Sequence, residues 1–145
     1  MNYEWRNIEQ EDFKACALSL MDTFKEKPWN ENWTYEEAMM RIDECMASRM
    51  SRGFVIMDGE KAIGTCIGRV MTYTGFRELY IDEFSIHPAY QGQKLGSKLI
   101  DFVRAEMKKE EIETLCLTTI KGYPSVEFYQ KKGFKLSETV VFMHD

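Results

Sequence analysis

Between residues 13 and 24 the apolar side chains Phe13, Cys16, Ala17, Leu20, Met21 and Phe24 recur three or four positions apart. That spacing lines one face of a helix. Lys27-Pro28-Trp29-Asn30 breaks the pattern. Thr34 and Glu37 then form an S/T-x-x-E capping box ahead of a second helix, whose inner stripe is Ala38, Ile42 and Cys45. After Gly53 the period shortens. Phe54–Met57 reads as a buried strand, Asp58-Gly59 as a hairpin turn, and Ala62–Tyr73 as a second strand that Gly64 and Gly68 bend. Thr74-Gly75 is a further turn, and Leu79–His87 a strand that Pro88 ends. Leu95, Leu99, Phe102, Val103 and Met107 then mark a longer helix. Leu115–Thr118 is a strand, Pro124 opens a short helix that stops at Gly133, and Phe134–Phe142 reads as a last strand. Tyr3–Ile8 supplies a first strand. The order β-α-α-β-β-β-α-β-α-β predicts an α/β (α+β) fold with a mixed central sheet flanked by helices, as a single domain over residues 1–145.

Composition narrows the class. The chain has 145 residues, 44% hydrophobic and 30% charged, in the range of an ordinary globular domain. No run approaches the ~20 apolar residues of a membrane span. Met1–Arg6 lacks the basic-then-apolar start of a signal peptide. A cytoplasmic protein with no membrane partner is expected. Cys16, Cys45, Cys66 and Cys116 are widely spaced, and only His87 and His144 accompany them, so no metal is expected and the thiols read as reduced packing residues. The formal charge of -5 disfavours nucleic acid as a partner and suits a cationic small molecule.

The chemistry concentrates after residue 79. Leu79-Tyr80-Ile81-Asp82-Glu83-Phe84-Ser85-Ile86-His87 has the apolar flanks of a central strand, with two carboxylates in its middle. Ionised acids inside a sheet need a cationic partner, such as Arg69 or Arg77, or a catalytic task. Strict alternation predicts that Asp82 and Glu83 face opposite sides, with Asp82 on the side of Phe84 and Ile86. Gln91-Gly92-Gln93-Lys94-Leu95-Gly96-Ser97 joins that strand to the next helix. Free N–H groups at a helix start favour anions, and small residues let a phosphate approach the main chain. The loop is neither a P-loop nor a strict dinucleotide fingerprint. Downstream, Phe128-Tyr129-Gln130-Lys131-Lys132-Gly133-Phe134 reads as a capped amphipathic helix.

Taken together, these segments resemble the GNAT superfamily of N-acetyltransferases. Gln91 and Gly96 match its Q/R-x-x-G-x-G/A pyrophosphate motif, with Lys94 where the first glycine usually stands. Phe128-Tyr129 to Gly133-Phe134 is similar to its F/L-Y-x-x-x-G-F signature. The resemblance implies acetyl-CoA as co-substrate and a sheet whose fourth and fifth strands splay to admit the pantetheine arm. Phe84, Ser85 and Ile86 would line that arm, and Gln91, Gly92, Gln93, Lys94, Leu95, Gly96 and Ser97 would hold the diphosphate. It implies direct acetyl transfer to an amine, with Asp82 or Glu83 as base and Tyr129 as proton donor to the departing sulfur. Asp82 is preferred as base, acting through water.

The acid-bearing strand is similar to that of polyamine and some aminoglycoside N-acetyltransferases. With Trp29, Trp33 and Tyr35 around the first two helices, it suits a small polycationic amine acceptor. Protein or peptide N-acetylation, and a non-catalytic acetyl-CoA-binding module, remain the alternatives, and a homodimer remains open.

Overall fold

The computed structural model describes residues 2–145. Five strands, β1 (Glu4–Asn7), β2 (Ser51–Asp58), β3 (Lys61–Tyr73), β4 (Phe76–Ile86) and β5 (Thr114–Leu117), form one sheet in the order β1-β2-β3-β4-β5. The first three pairings are antiparallel and β4–β5 is parallel. The helices are α1 (Phe13–Lys25), α2 (Tyr35–Met46), α3 (Leu95–Lys109) and α4 (Pro124–Lys131), with short 3-10 turns at Gln10–Asp12 and Pro88–Tyr90.

The helical stripes divide between two cores, one on each face of the sheet. Leu95, Leu99, Val103 and Met107 of α3 bury against Phe54, Ile56, Cys66 and Leu79. Cys16, Ala17 and Leu20 of α1 and Ala38, Ile42 and Cys45 of α2 bury against Val55, Met57 and Ile67. The capping box forms: the Glu37 N–H donates to Thr34 Oγ1 at 3.1 Å, and the Thr34 N–H donates to Glu37 Oε1 at 2.9 Å. At the end of α4 the N–H of Phe134 donates to Tyr129 O and that of Gly133 to Gln130 O, with Gly133 at φ 93°; this is the glycine-capped stop that the sequence predicts.

Three local expectations need correcting. Asp58 pairs with Lys61, so the central residues of the β2–β3 turn are Gly59 and Glu60, one position later than Asp58-Gly59. The strand expected over Phe134–Phe142 does not form: no residue after α4 pairs with the sheet, and Leu136 and Val140–Met143 are exposed. Alternation also fails in the middle of β4. Ile67 pairs with Glu83 but Gly68 pairs with Ile81, which leaves Asp82 as an extra, unpaired residue. Such a bulge offsets everything beyond it by one position.

Gly68 makes the bulge possible. A Cβ there would lie 2.6 Å from the carbonyl oxygen of Tyr80 and 3.0 Å from Leu79. The Gly68→Ala protein is expected to lose about 1–3 kcal/mol of stability, the usual cost of overpacking against groups that cannot move aside. Urea denaturation measures it, and an unchanged midpoint would mean that the strands separate freely at this point.

Candidate active site

β4 has β5 beside it only from Glu78 to Ile81, paired with Thr114 to Leu117. Beyond that point β4 runs on to Ile86 with β3 on one side only. A notch therefore opens between the two parallel strands where the bulge begins. The N–H of His87 donates to Ile63 O at 2.8 Å, toward β3. Main-chain groups alternate along a strand, so Phe84 and Ile86 turn theirs toward the notch. The carbonyl of Ile86 accepts a 3.0 Å hydrogen bond from Gln91 Nε2, which ties the following loop to the strand.

That loop carries two left-handed residues, Gly92 (φ 86°) and Lys94 (φ 61°), the second immediately before α3. No side chain caps this helix start. The first-turn N–H groups are thus left for an anion, and the helix dipole adds to their pull. Gln91, Gly92, Gln93 and Lys94 are exposed, Gly96 and Ser97 half-buried, and Leu95 buried in the α3 core. Gln93 Oε1 accepts from the Tyr3 hydroxyl at 3.0 Å. Leu95 can therefore offer a ligand only its main chain, whereas Lys94 presents a free cation at the rim.

Gly96 faces α4. A Cβ there would stand 3.2 Å from Phe128 Cζ and 3.6 Å from Ile86. A longer side chain must either push α4 away or fill the space above the free N–H groups. The Gly96→Glu protein is expected to bind acetyl-CoA at least ~10-fold more weakly, ~1.4 kcal/mol, because it also brings negative charge to the anion site. Calorimetric titration of the folded variant decides, and unchanged affinity would remove the loop from the cofactor site.

The two acids of β4 are both held by arginines. Asp82 makes a bidentate pair with Arg69 of β3, Oδ2 to Nε at 2.9 Å and Oδ1 to Nη2 at 2.8 Å. Glu83 Oε1 accepts from Nε of Arg41, on α2, at 2.6 Å, and Arg41 Nη2 also reaches Asp82 O at 3.4 Å. The charges of both acids and both arginines are felt at the Cys45 thiol of α2. Asp82 and Glu83 therefore both turn toward the α1/α2 side, and the bulge is why neither shares the side of Phe84 and Ile86. Burial raises the Glu83 carboxyl above its ordinary range, opposed by Arg41; the charges of Asp82 and Glu31 push it further up. Its Oε2 has no hydrogen-bond partner among the described residues.

The sequence points to Arg69 as a partner for this pair and not to Arg41. Its signal is faint: it lies three residues after Ala38 and four before Cys45, at the rim of the inner stripe of α2. Arg77, the other candidate, instead donates to Glu110 O at 3.4 Å.

Tyr129 packs edge-on against Phe84, Phe128 and Phe134, with centroids 5.8, 5.2 and 5.5 Å away. Burial pushes its phenol well above the ordinary value, and the Glu83 charge adds to the shift. Its hydroxyl has no partner among the described residues. Phe128 tilts against Phe84 on the Gly96 side. His87 pins the end of β4 to α1: Nδ1 accepts from the Ala89 N–H at 3.1 Å, so Nε2 carries the proton and donates to Asp22 at 2.9 Å.

Trp29, Trp33 and Tyr35 do not form one pocket. Trp29 packs between Phe24 and Tyr123, and lines a cleft of about 550 Å³ that reaches Lys25, Lys27, Pro88 and Gln91. Trp33 lies against the α1/α2 core and donates to Glu31 at 2.9 Å, while Tyr35 is exposed.

An uncapped helix start after a parallel strand pair whose pairing stops short, with acids at a bulge and a half-buried tyrosine nearby, suits an acyl-CoA-dependent transferase. The chain matches the acetyltransferase (GNAT) family over residues 3–134 and belongs to it. No curated protein is similar enough in sequence to register as a match. Among solved structures, the chain is similar to a transcriptional regulator from Bacillus halodurans C-125, at 23% identity and TM-score 0.79 over 99% of this chain and 100% of that one. It is also similar to a predicted acetyltransferase from Clostridium acetobutylicum solved with acetyl-CoA (19% identity, TM-score 0.72, 99% and 96% covered). A third is an aminoglycoside antibiotic 6'-N-acetyltransferase from Acinetobacter haemolyticus (12% identity, TM-score 0.74, 100% and 98% covered). No helix among the described residues is long and apolar enough to cross a membrane.

Proposed function

We propose that this acetyltransferase moves the acetyl group of acetyl-CoA to a primary amine of a small polycationic acceptor, such as a polyamine or an aminoglycoside. The observation that carries the reading is the notch itself. The main chain of Phe84 and the N–H of Ile86 face it, with Glu83 on its α1/α2 side and the Tyr129 ring beside Phe84. The pantetheine arm takes the place of the missing β5 pairing, and the diphosphate meets the first turn of α3.

The amine enters from the α1/α2 side. Glu31, Glu36 and Glu37 are exposed along the approach and, with Glu83, attract a cation. Glu83 is the better base of the two acids, because Asp82 has both oxygens committed to Arg69 whereas Glu83 keeps one free and is raised by burial. The nitrogen attacks the thioester carbon and gives its proton to Glu83. A C–N bond forms, the C–S bond breaks, and the departing sulfur takes a proton from Tyr129, which is regained from solvent.

The aminoglycoside acetyltransferase of similar fold supports a small acceptor. The test is CoA release, followed with a thiol reagent, over a panel of polyamines, aminoglycosides and peptides with free N-termini. Release with polyamines or aminoglycosides is expected. Release with peptides alone would move the acceptor to proteins, and acetyl-CoA binding with no release for any amine would make the chain a binding module.

A further inference from the structure

α1 and α4 lie on opposite faces of the sheet. α1 buries Cys16, Ala17 and Leu20 in the core shared with α2, whereas Phe128 of α4 stands against Gly96 and Phe84 on the α3 side. Layers separated by a sheet can touch only past its edge. They do so here: the ring of Trp29, just beyond the end of α1, meets the ring of Tyr123, the N-cap of α4, with centroids 5.1 Å apart and planes at 72°. Between these two helices the sheet is missing where β5 stops short of the end of β4. The cleft that Trp29 lines reaches Pro88 and Gln91, directly beyond that stretch. The aromatic bridge therefore crosses the notch at the end nearer the diphosphate loop.

Each side of the bridge is anchored locally. Trp29 packs on Phe24 at 5.2 Å, its N–H donates to Glu26 O at 3.0 Å, and the Glu31 N–H reaches back to Phe24 O at 2.8 Å. The Tyr123 N–H donates to Ile120 O at 3.2 Å, and the hydroxyls of Thr119 and Ser125 pair at 2.7 Å. Across the bridge there is only the edge-on ring contact. Both rings are half-buried, and neither the Trp29 Nε1–H nor the Tyr123 hydroxyl has a hydrogen-bond partner among the described residues. Two anchored segments joined by one weak contact can part without unfolding either.

On the reading of the notch as the acetyl-CoA channel, we infer that the Trp29–Tyr123 pair is its gate. The pair parts to let the pantetheine arm into the notch and closes over it afterwards. The arm must run from the loop at Gln91 past Phe84 to Glu83 and Tyr129, and the bridge lies across that route. Rings already in contact leave no width for a chain between them, so the arm enters only when they separate. Once it is in place, its methyl and methylene groups suit the ring faces, and its amides suit the free indole N–H and phenol. Closure of this kind holds a substrate and shields the reacting atoms from water.

Calorimetry on the full chain first establishes that acetyl-CoA binds. The unaltered chain labelled with 5-fluorotryptophan gives fluorine signals from Trp5, Trp29 and Trp33, assigned by changing each to Phe in turn. Titration with acetyl-CoA is expected to move the Trp29 signal and to leave that of Trp5, which packs on Phe102, in place. By surface plasmon resonance, Tyr123→Leu should speed both association and dissociation of acetyl-CoA by about 3–10-fold, the range that corresponds to one aromatic contact. Trp29→Leu should do the same, and the two together little more than either alone, because they break one contact. A fixed wall of the channel would change dissociation only. Binding that leaves the Trp29 signal in place, or leucine variants with unchanged association, overturns the gate. Acetyl-CoA that does not bind at all overturns the reading of the notch and the gate with it. Should a leucine variant not fold, the fluorine titration of the unaltered chain still decides.

Discussion

Glu83→Gln is expected to lower kcat/KM by roughly 10²–10⁴-fold, the range a positioned general base contributes. The substitution keeps the length and shape of the side chain, and a neutral amide can still accept from Arg41, so folding and acetyl-CoA affinity should change little. The pH profile is the sharper readout. In the unaltered enzyme a Glu83 base must be ionised to act, so kcat/KM is expected to fall as pH drops through its pKa. Burial moves that limb above the ordinary carboxylate range and Arg41 holds it back. Arg41→Met should therefore carry the limb to higher pH. In Glu83→Gln the limb should vanish, leaving only the rise that comes from free amine. If Asp82→Asn loses activity while Glu83→Gln keeps it, the base is Asp82; activity in the double variant would end the carboxylate-base mechanism.

Tyr129→Phe should lower kcat by about 10²-fold or more, the lower end of general acid help, with acetyl-CoA affinity nearly unchanged. Only the hydroxyl is lost, and the ring contacts to Phe84, Phe128 and Phe134 remain. Because burial raises the phenol, it stays protonated through the neutral range and can donate whenever the thiolate forms. It should impose no alkaline fall until well above neutrality. The measurement belongs in single turnovers, where product release does not mask chemistry. An unchanged rate there would leave Tyr129 as a packing residue that carries α4 on Phe84.

The elements were legible in the chain because each is set by local pattern. The stripes of α1, α2 and α3, the Thr34–Glu37 box, the glycine stop at Gly133 and the loop into α3 depend on residues a few positions apart, and all fold as their spacing predicts. The family was legible too, since its two motifs lie within those elements. Pairing was not legible. Whether a β-competent run finds a neighbour depends on where the rest of the sheet lies, and Phe134–Phe142 has none although its composition suits a strand. The bulge at Asp82 was equally hidden, because an extra residue is defined only by the register of β4 against β3. It overturned the expected alternation and brought both acids to the α1/α2 side. Arg41 reaches Glu83 across 42 positions of sequence, so the partner that holds the candidate base could come only from the packing of α2 on the sheet. Spacing pointed to the candidate site residues; tertiary contacts decided which acid keeps a free oxygen, because charge partners are set by distance in space rather than along the chain.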